Sequence, residues 1–250
     1  MRAMSPPRRP GRTESDGTPS DLRAALRVAT AELHRRLDRA PAQRALLAPD
    51  LTLQRYAAIL ATHAAAYRRC EAMLSAVAEH LPGGLPVYRS RLPALRDDLA
   101  WLSTVTNDVE VPTWGRAGTD GHVLGDACAA EDVHDAVRGE GRCLGLRYVL
   151  EGATQGATVI SARLARHRPE LADGPFAFWR LQAAEAPGWP ALTEVLAARP
   201  ADGEGADVAL AAATEAFGVF LRAFAPVAAS APAGDFAAAG PNARAERERP

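Results

Sequence analysis

Apolar residues recur along most of this chain at intervals of three and four, and no stretch alternates with the period of two that a half-buried strand requires. Leu22, Leu26, Ala29, Leu33 and Leu37 establish the spacing first, and Leu92, Leu95, Leu99 and Leu102 repeat it. A chain patterned in this way buries its apolar stripes only by packing helix on helix, so the expected fold is an all-α single domain. Residues 1–17 and 226–250 are rich in Pro, Gly, Ala and charge without any period, and both are expected to be disordered tails. The helical domain is expected to span residues 18–225.

Local signals divide that span. "TPSD" at Thr18–Asp21 reads as a helix start, with Thr18 as N-cap, Pro19 at N1 and Asp21 at N3, for a helix ending near Ala40. A second helix is expected from about Thr52 to His80, with Asp50 and Thr52 as candidate caps and "PGG" at Pro82–Gly84 as its stop, and a third from about Pro86 to Leu102. Residues 104–129 carry Pro, Gly, Asn and Asp and read as a long loop. A short helix over "AAEDVHDAV", a longer one from about Arg142 to Arg166, and a final pair over 176–198 and 205–224 complete the reading. Pro187 and Pro190 interrupt the first of that pair.

Composition excludes several functions. A formal net charge of −1 gives no basic surplus for nucleic acid. The N-terminus lacks the apolar core of a secretory signal, and no run of 18 apolar residues exists to cross a membrane, so a cytoplasmic location is expected. Cys70, Cys128 and Cys143 form neither a disulfide framework nor a paired metal motif, which fits reduced thiols. Phosphate loops, nucleophile elbows and HExxH zinc sites are likewise missing from the sequence.

Glycines and histidines carry what chemistry remains. "YVLEGATQGATVI", Tyr148 to Ile160, reads as helix yet holds Gly152 and Gly156 on one face, with Gly145 close to the same stripe. Each costs about 1 kcal/mol relative to alanine. Something must therefore approach this backbone closely, either a second helix or a flat ligand. Of the histidines, His80 and His167 fall at helix ends and His122 in the loop. His34 sits mid-helix between aliphatic flanks, with Arg27 two turns before it on the same face. It is either a hydrogen-bonded core histidine or the ligand of a planar group with an anionic edge. His63 is the rival candidate.

Together these residues are similar to a known family. "LRVATAELHRRLD", Leu26 to Asp38, resembles the first-helix motif of heme oxygenases, and "YVLEGATQGATVI" resembles their distal helix, most closely in the bacterial biliverdin-producing type associated with bacteriophytochromes. "YAAILATHAAAYRRCEAML", "YRSRLPALRDDLAWL" and "AAATEAFGVFLRAF" resemble other helices of that family, and the likeness covers about residues 20–224. The resemblance implies a helical bundle with heme, both substrate and cofactor, sandwiched between the proximal and distal helices. His34 would bind the iron. Gly152 and Gly156 would bring the distal backbone close to the porphyrin, directing dioxygen toward a meso carbon and opening the ring to biliverdin, carbon monoxide and iron. Arg27 matches the family's propionate partner, Arg180 would be a second one, Tyr67 matches a tyrosine of the distal water network, and Phe217 matches a wall aromatic. Electrons would come from a donor such as ferredoxin or a reductase, and a bacteriophytochrome would be a receiver of the biliverdin.

Two positions depart from that pattern. Family members place aspartate or serine directly after the first distal glycine, where this chain has Ala153, and a further glycine after the later one, where it has Ala157. The first removes a polar group that would order water; the second is expected to aim a methyl group at the heme. The alternative function is accordingly a heme carrier, store or sensor of the same fold that does not turn over.

Overall fold

The computed structural model describes residues 19–106, 133–171 and 174–225. Among them every regular element is a helix. In chain order these are α1 (Leu22–Asp38), α2 (Pro41–Leu46), α3 (Leu53–Ser75), α4 (Leu92–Val105), α5 (Val133–His167), α6 (Ala177–Glu185), α7 (Trp189–Ala197) and α8 (Glu204–Phe224). The expected loop beyond Thr106, the start of the expected short helix, Cys128 and both tails lie outside the described residues.

Several boundaries differ from the sequence expectation for physical reasons. The cap of α1 is Asp21 itself, whose carboxylate accepts the Ala24 N–H at 2.8 Å, so the acid expected at N3 is the N-cap. Of the two candidate caps of α3, Asp50 and Thr52, it is Thr52 that serves, accepting from the Arg55 N–H. The six-residue α2 is too short for periodicity to reveal. Pro93 stands in the first turn of α4, so that helix begins at Leu92 and not near Pro86. The two helices expected around Gly139 and Gly141 are one continuous 35-residue α5. Pro187 and Pro190 do split the 176–198 region, through a single 3-10 turn at Ala186–Gly188 between α6 and α7.

The long α5 lies along α8 and also contacts α3, α6 and α7, while α1 packs on α8 and α7. Their buried faces form one core, in which Leu26, Ile59, Leu60, Leu99, Leu146 and Leu196 are fully enclosed. Burial of each such leucine or isoleucine contributes about 2 kcal/mol, which offsets the weak intrinsic stability of the individual helices. Asp98 on α4 accepts the backbone N–H groups of Ala177 and Phe178, both at 2.8 Å, and so caps α6 from a neighbouring helix. Burial pushes the Asp98 carboxyl up to about 6 against those two hydrogen bonds. Cys70 and Cys143 are buried free thiols.

Candidate active site

A cavity of about 380 Å³ opens between α1 and the second half of α5. That is within the usual size of ligand pockets, about 300–1,000 Å³. His34, Leu37 and Asp38 of α1 form one wall, and Gly152, Ala153 and Gly156 of α5 form another. Phe217 and Phe220 of α8, with Trp179 of α6 and Trp189 of α7, supply apolar sides. His63 and Tyr67 of α3 and Gln182 of α6 reach it from behind.

His34 is held by its own helix. Its Nδ1 lies 2.9 Å from Asp38 Oδ2, one turn later, and its edge meets the Phe217 ring at 5.9 Å between centroids. Asp38 thereby occupies Nδ1 and leaves Nε2 as the nitrogen free to bind a metal, the usual arrangement of a metal-binding histidine and its carboxylate. The side chain is 63% exposed, so it is not the satisfied core histidine that periodicity alone also allowed. Among the described residues no group of three or more His, Cys, Asp or Glu side chains could cage a metal.

The glycines answer the question of close approach in two ways. A Cβ at Gly156 would meet no atom within 4 Å, and one at Gly152 would make ordinary contact with the Trp189 ring at 3.4 Å. Among the described residues no protein group requires glycine at Gly156; the space beside it belongs to the cavity. At Gly145, by contrast, a Cβ would lie 2.1 Å from the Ala209 carbonyl oxygen, so this member of the stripe serves helix packing. Ala157 is fully buried in the core and lines no part of the cavity, contrary to expectation. Ala157 packs among the enclosed core side chains instead. Ala153 does face the cavity.

Of the residues singled out in the sequence, His34, Tyr67, Gly152, Gly156 and Phe217 converge on this cavity. Arg27 is exposed on α1 and stands outside the lining. Arg180 is exposed as well, with its guanidinium 5.9 Å from the Phe176 ring centre. Trp179 and Gln182 are the α6 residues that line the cavity, and Arg180, exposed and absent from that lining, points away from it. Sequence reasoning missed Gln182, Trp189, Phe220 and Asp38. Only Asp38 carried a signal, its position four residues after His34.

His63 is the other unusual group. It is enclosed by the Tyr67, Phe178, Trp179 and Phe224 rings, at 4.9–6.3 Å between centroids. Both ring nitrogens are buried without a hydrogen-bond partner among the described residues. Loss of hydration disfavours the imidazolium and lowers its pKa to about 3, so His63 is neutral at physiological pH.

A family model described as Heme oxygenase matches residues 20–226 of the chain. Among curated proteins, none matches it.

Proposed function

Because the chain belongs to the heme oxygenase family, whose members open the ring of heme by oxidation, we propose that the α1–α5 cavity is the heme site and that the product is biliverdin. The observation that carries this reading is the pairing across one cavity of His34, with Nδ1 committed to Asp38, and the uncovered α5 backbone at Gly156. Heme is the substrate and also supplies the iron at which dioxygen and external electrons react. His34 holds it through Nε2. Gly152 and Gly156 admit the ring close to the α5 backbone, and Phe217 and Trp189 cover its apolar body. Water is limited on the inner side by Tyr67, Trp179 and Phe220. Arg27, on the His34 face of α1, is the candidate propionate partner, since a guanidinium fork bonds both carboxylate oxygens; Arg180 is too far turned from the cavity to share that role.

No described helix is long and apolar enough to cross a membrane, which fits a cytoplasmic enzyme reduced by a ferredoxin or reductase and passing its bilin to a bacteriophytochrome. Ala153 favours one competing reading, heme binding without turnover, because its methyl group stands where relatives place a polar side chain. Hemin-loaded protein supplied with ascorbate in air separates the two. Loss of the Soret band with growth of a red-absorbing bilin supports the enzyme, and a stable spectrum supports the carrier. His34→Ala is expected to remove the histidine-ligated spectrum; an unchanged spectrum would exclude His34 as the ligand.

A further inference from the structure

Ala153 leaves the cavity without the polar side chain that family members carry after the first distal glycine, yet among the described residues the Tyr67 hydroxyl beside the same cavity accepts one hydrogen bond and donates its own proton to no protein group. We propose that Arg91 and Gln182 lock the Tyr67 hydroxyl as a hydrogen-bond donor into the cavity, taking the place of a polar group at position 153. The proposal rests on the reading of this cavity as the heme site.

The direction of the chain follows from what each group can donate. Arg91 is 1% exposed, and its guanidinium has donors only. Its Nε donates to Gln182 Oε1 at 2.8 Å, and its Nη1 donates to the Arg89 carbonyl. Its backbone N–H donates to the Glu71 carboxylate at 2.8 Å, which fixes the start of α4 against α3. An amide side chain can ordinarily be turned over without consequence for its shape. Here a turn would set the Gln182 amino group against a guanidinium, two donors facing each other. The oxygen of Gln182 therefore faces Arg91, and its nitrogen faces Tyr67.

That nitrogen donates to the Tyr67 oxygen at 2.5 Å. Tyr67 is 1% exposed and packed edge-on against Phe178 and Phe220, with centroids at 5.6 and 5.3 Å. Its oxygen accepts from Gln182, and among the described residues no protein group accepts its proton. Burial also drives its pKa upward, so the phenol stays protonated. Tyr67 and Gln182 both line the cavity, which is where an acceptor can arrive. Thr154, between the distal glycines, is unable to serve: it is fully buried and donates to the Glu151 carbonyl at 2.6 Å. Gln155 donates to Thr154 and to the Ala186 carbonyl. Arg91 and Gln182 are thus positioning residues, acting through Tyr67.

The test uses the acid–alkaline transition of the ferric heme complex, followed by its visible spectrum. A donated hydrogen bond favours the alkaline, hydroxide form. Tyr67→Phe is expected to raise the midpoint by on the order of one pH unit, the worth of one hydrogen bond to a charged group. Gln182→Glu keeps a partner for Arg91 but offers Tyr67 only acceptors, which turns the hydroxyl proton out of the cavity, and a similar rise is expected. In the double variant Tyr67→Phe/Gln182→Glu the two rises should not add. Additive shifts would mean that the new carboxylate acts by its charge alone, and an unmoved midpoint in Tyr67→Phe would mean that its proton does not reach the ligand; either result overturns the proposal. A heme-free measurement separates this from failure of the heme reading. The Gln182 side-chain amide protons should exchange slowly with solvent in the unloaded protein, and exchange at the rate of an exposed glutamine would overturn the proposal whatever the chain does with heme.

Discussion

In the first half of α5, Gly139, Gly141 and Gly145 have neighbours where a Cβ would go: the His80 ring at 2.0 Å, the Gly205 oxygen at 2.3 Å and the Ala209 oxygen at 2.1 Å. In the second half, a Cβ at Gly156 would meet no atom of the described residues within 4 Å, and one at Gly152 would make only an ordinary contact. The same residue type at nearly the same helical spacing therefore meets opposite needs along one helix. The cause lies on α8. Gly141 faces Gly205 and Gly145 faces Ala209, so the two helices run parallel in step, and small residues let their backbones nearly touch. Further along, α8 presents Phe217 and Phe220, whose rings border the space where the helices stand apart, and that space is the cavity. Helical spacing identifies the stripe of small residues, but what lies across from each glycine depends on the partner helix.

The sharpest way to break this comparison is a methyl group in each half. Gly145→Ala should cost about 3 kcal/mol, at the upper end for overpacking because a carbonyl oxygen of a packed helix cannot move aside as a side chain can. Denaturant unfolding of the heme-free protein measures it, and a neutral result would mean that α5 and α8 separate easily. The wall facing the open half has its own test, through His63. Its pKa of about 3, against 6.5 for the free side chain, means that the unfolded chain binds the proton first. Stability is therefore complete above about pH 6.5 and falls as pH drops toward 3, by about 1.4 kcal/mol per pH unit within that window. His63→Leu should remove that part of the acid sensitivity in unfolding curves taken across the same range.

Gly156→Ala carries the opposite sign from Gly145→Ala. With nothing to strike, the added methyl should stabilise the heme-free protein by about 0.5–1 kcal/mol through helix propensity, while weakening hemin binding in a titration. A loss of stability instead would mean that glycine at Gly156 is required by the protein alone. The smallest effect is expected from Ala153→Ser, neutral for folding within about 0.5 kcal/mol. It should still move the acid–alkaline midpoint of the ferric complex, and a fixed midpoint would mean that position 153 does not face the iron.

Much of the fold was legible because helices announce themselves locally. The apolar period placed α1, α3, α4 and α8, the Thr52 cap marked the start of α3, and the two prolines separated α6 from α7. What periodicity could not register were short or continuous features: the six-residue α2, and the passage of α5 through Gly139 and Gly141, where local glycine cost predicts a break and burial against His80 and α8 overrides it. Within the site, His34 and the glycine pair were visible because they break a local rule, polar on an aliphatic face and glycine in a helix. Gln182, Trp189 and Phe220 break none. They are ordinary helical residues until three separate helices bring them to one cavity.

By itself, then, the order of residues determined that the chain would be helical, that His34 and Gly152–Gly156 would be special, and which family they resemble. Those properties depend on neighbours three or four residues apart, or on motifs short enough to read in one stretch. Only the tertiary structure decided which glycine serves packing and which serves the cavity, that Arg180 and Ala157 turn away from it, and that a buried arginine 24 residues from Tyr67 in sequence sets the direction of its hydrogen bond. Each of those outcomes depends on what another helix places within a few ångströms, and a contact of that kind leaves no period in the chain.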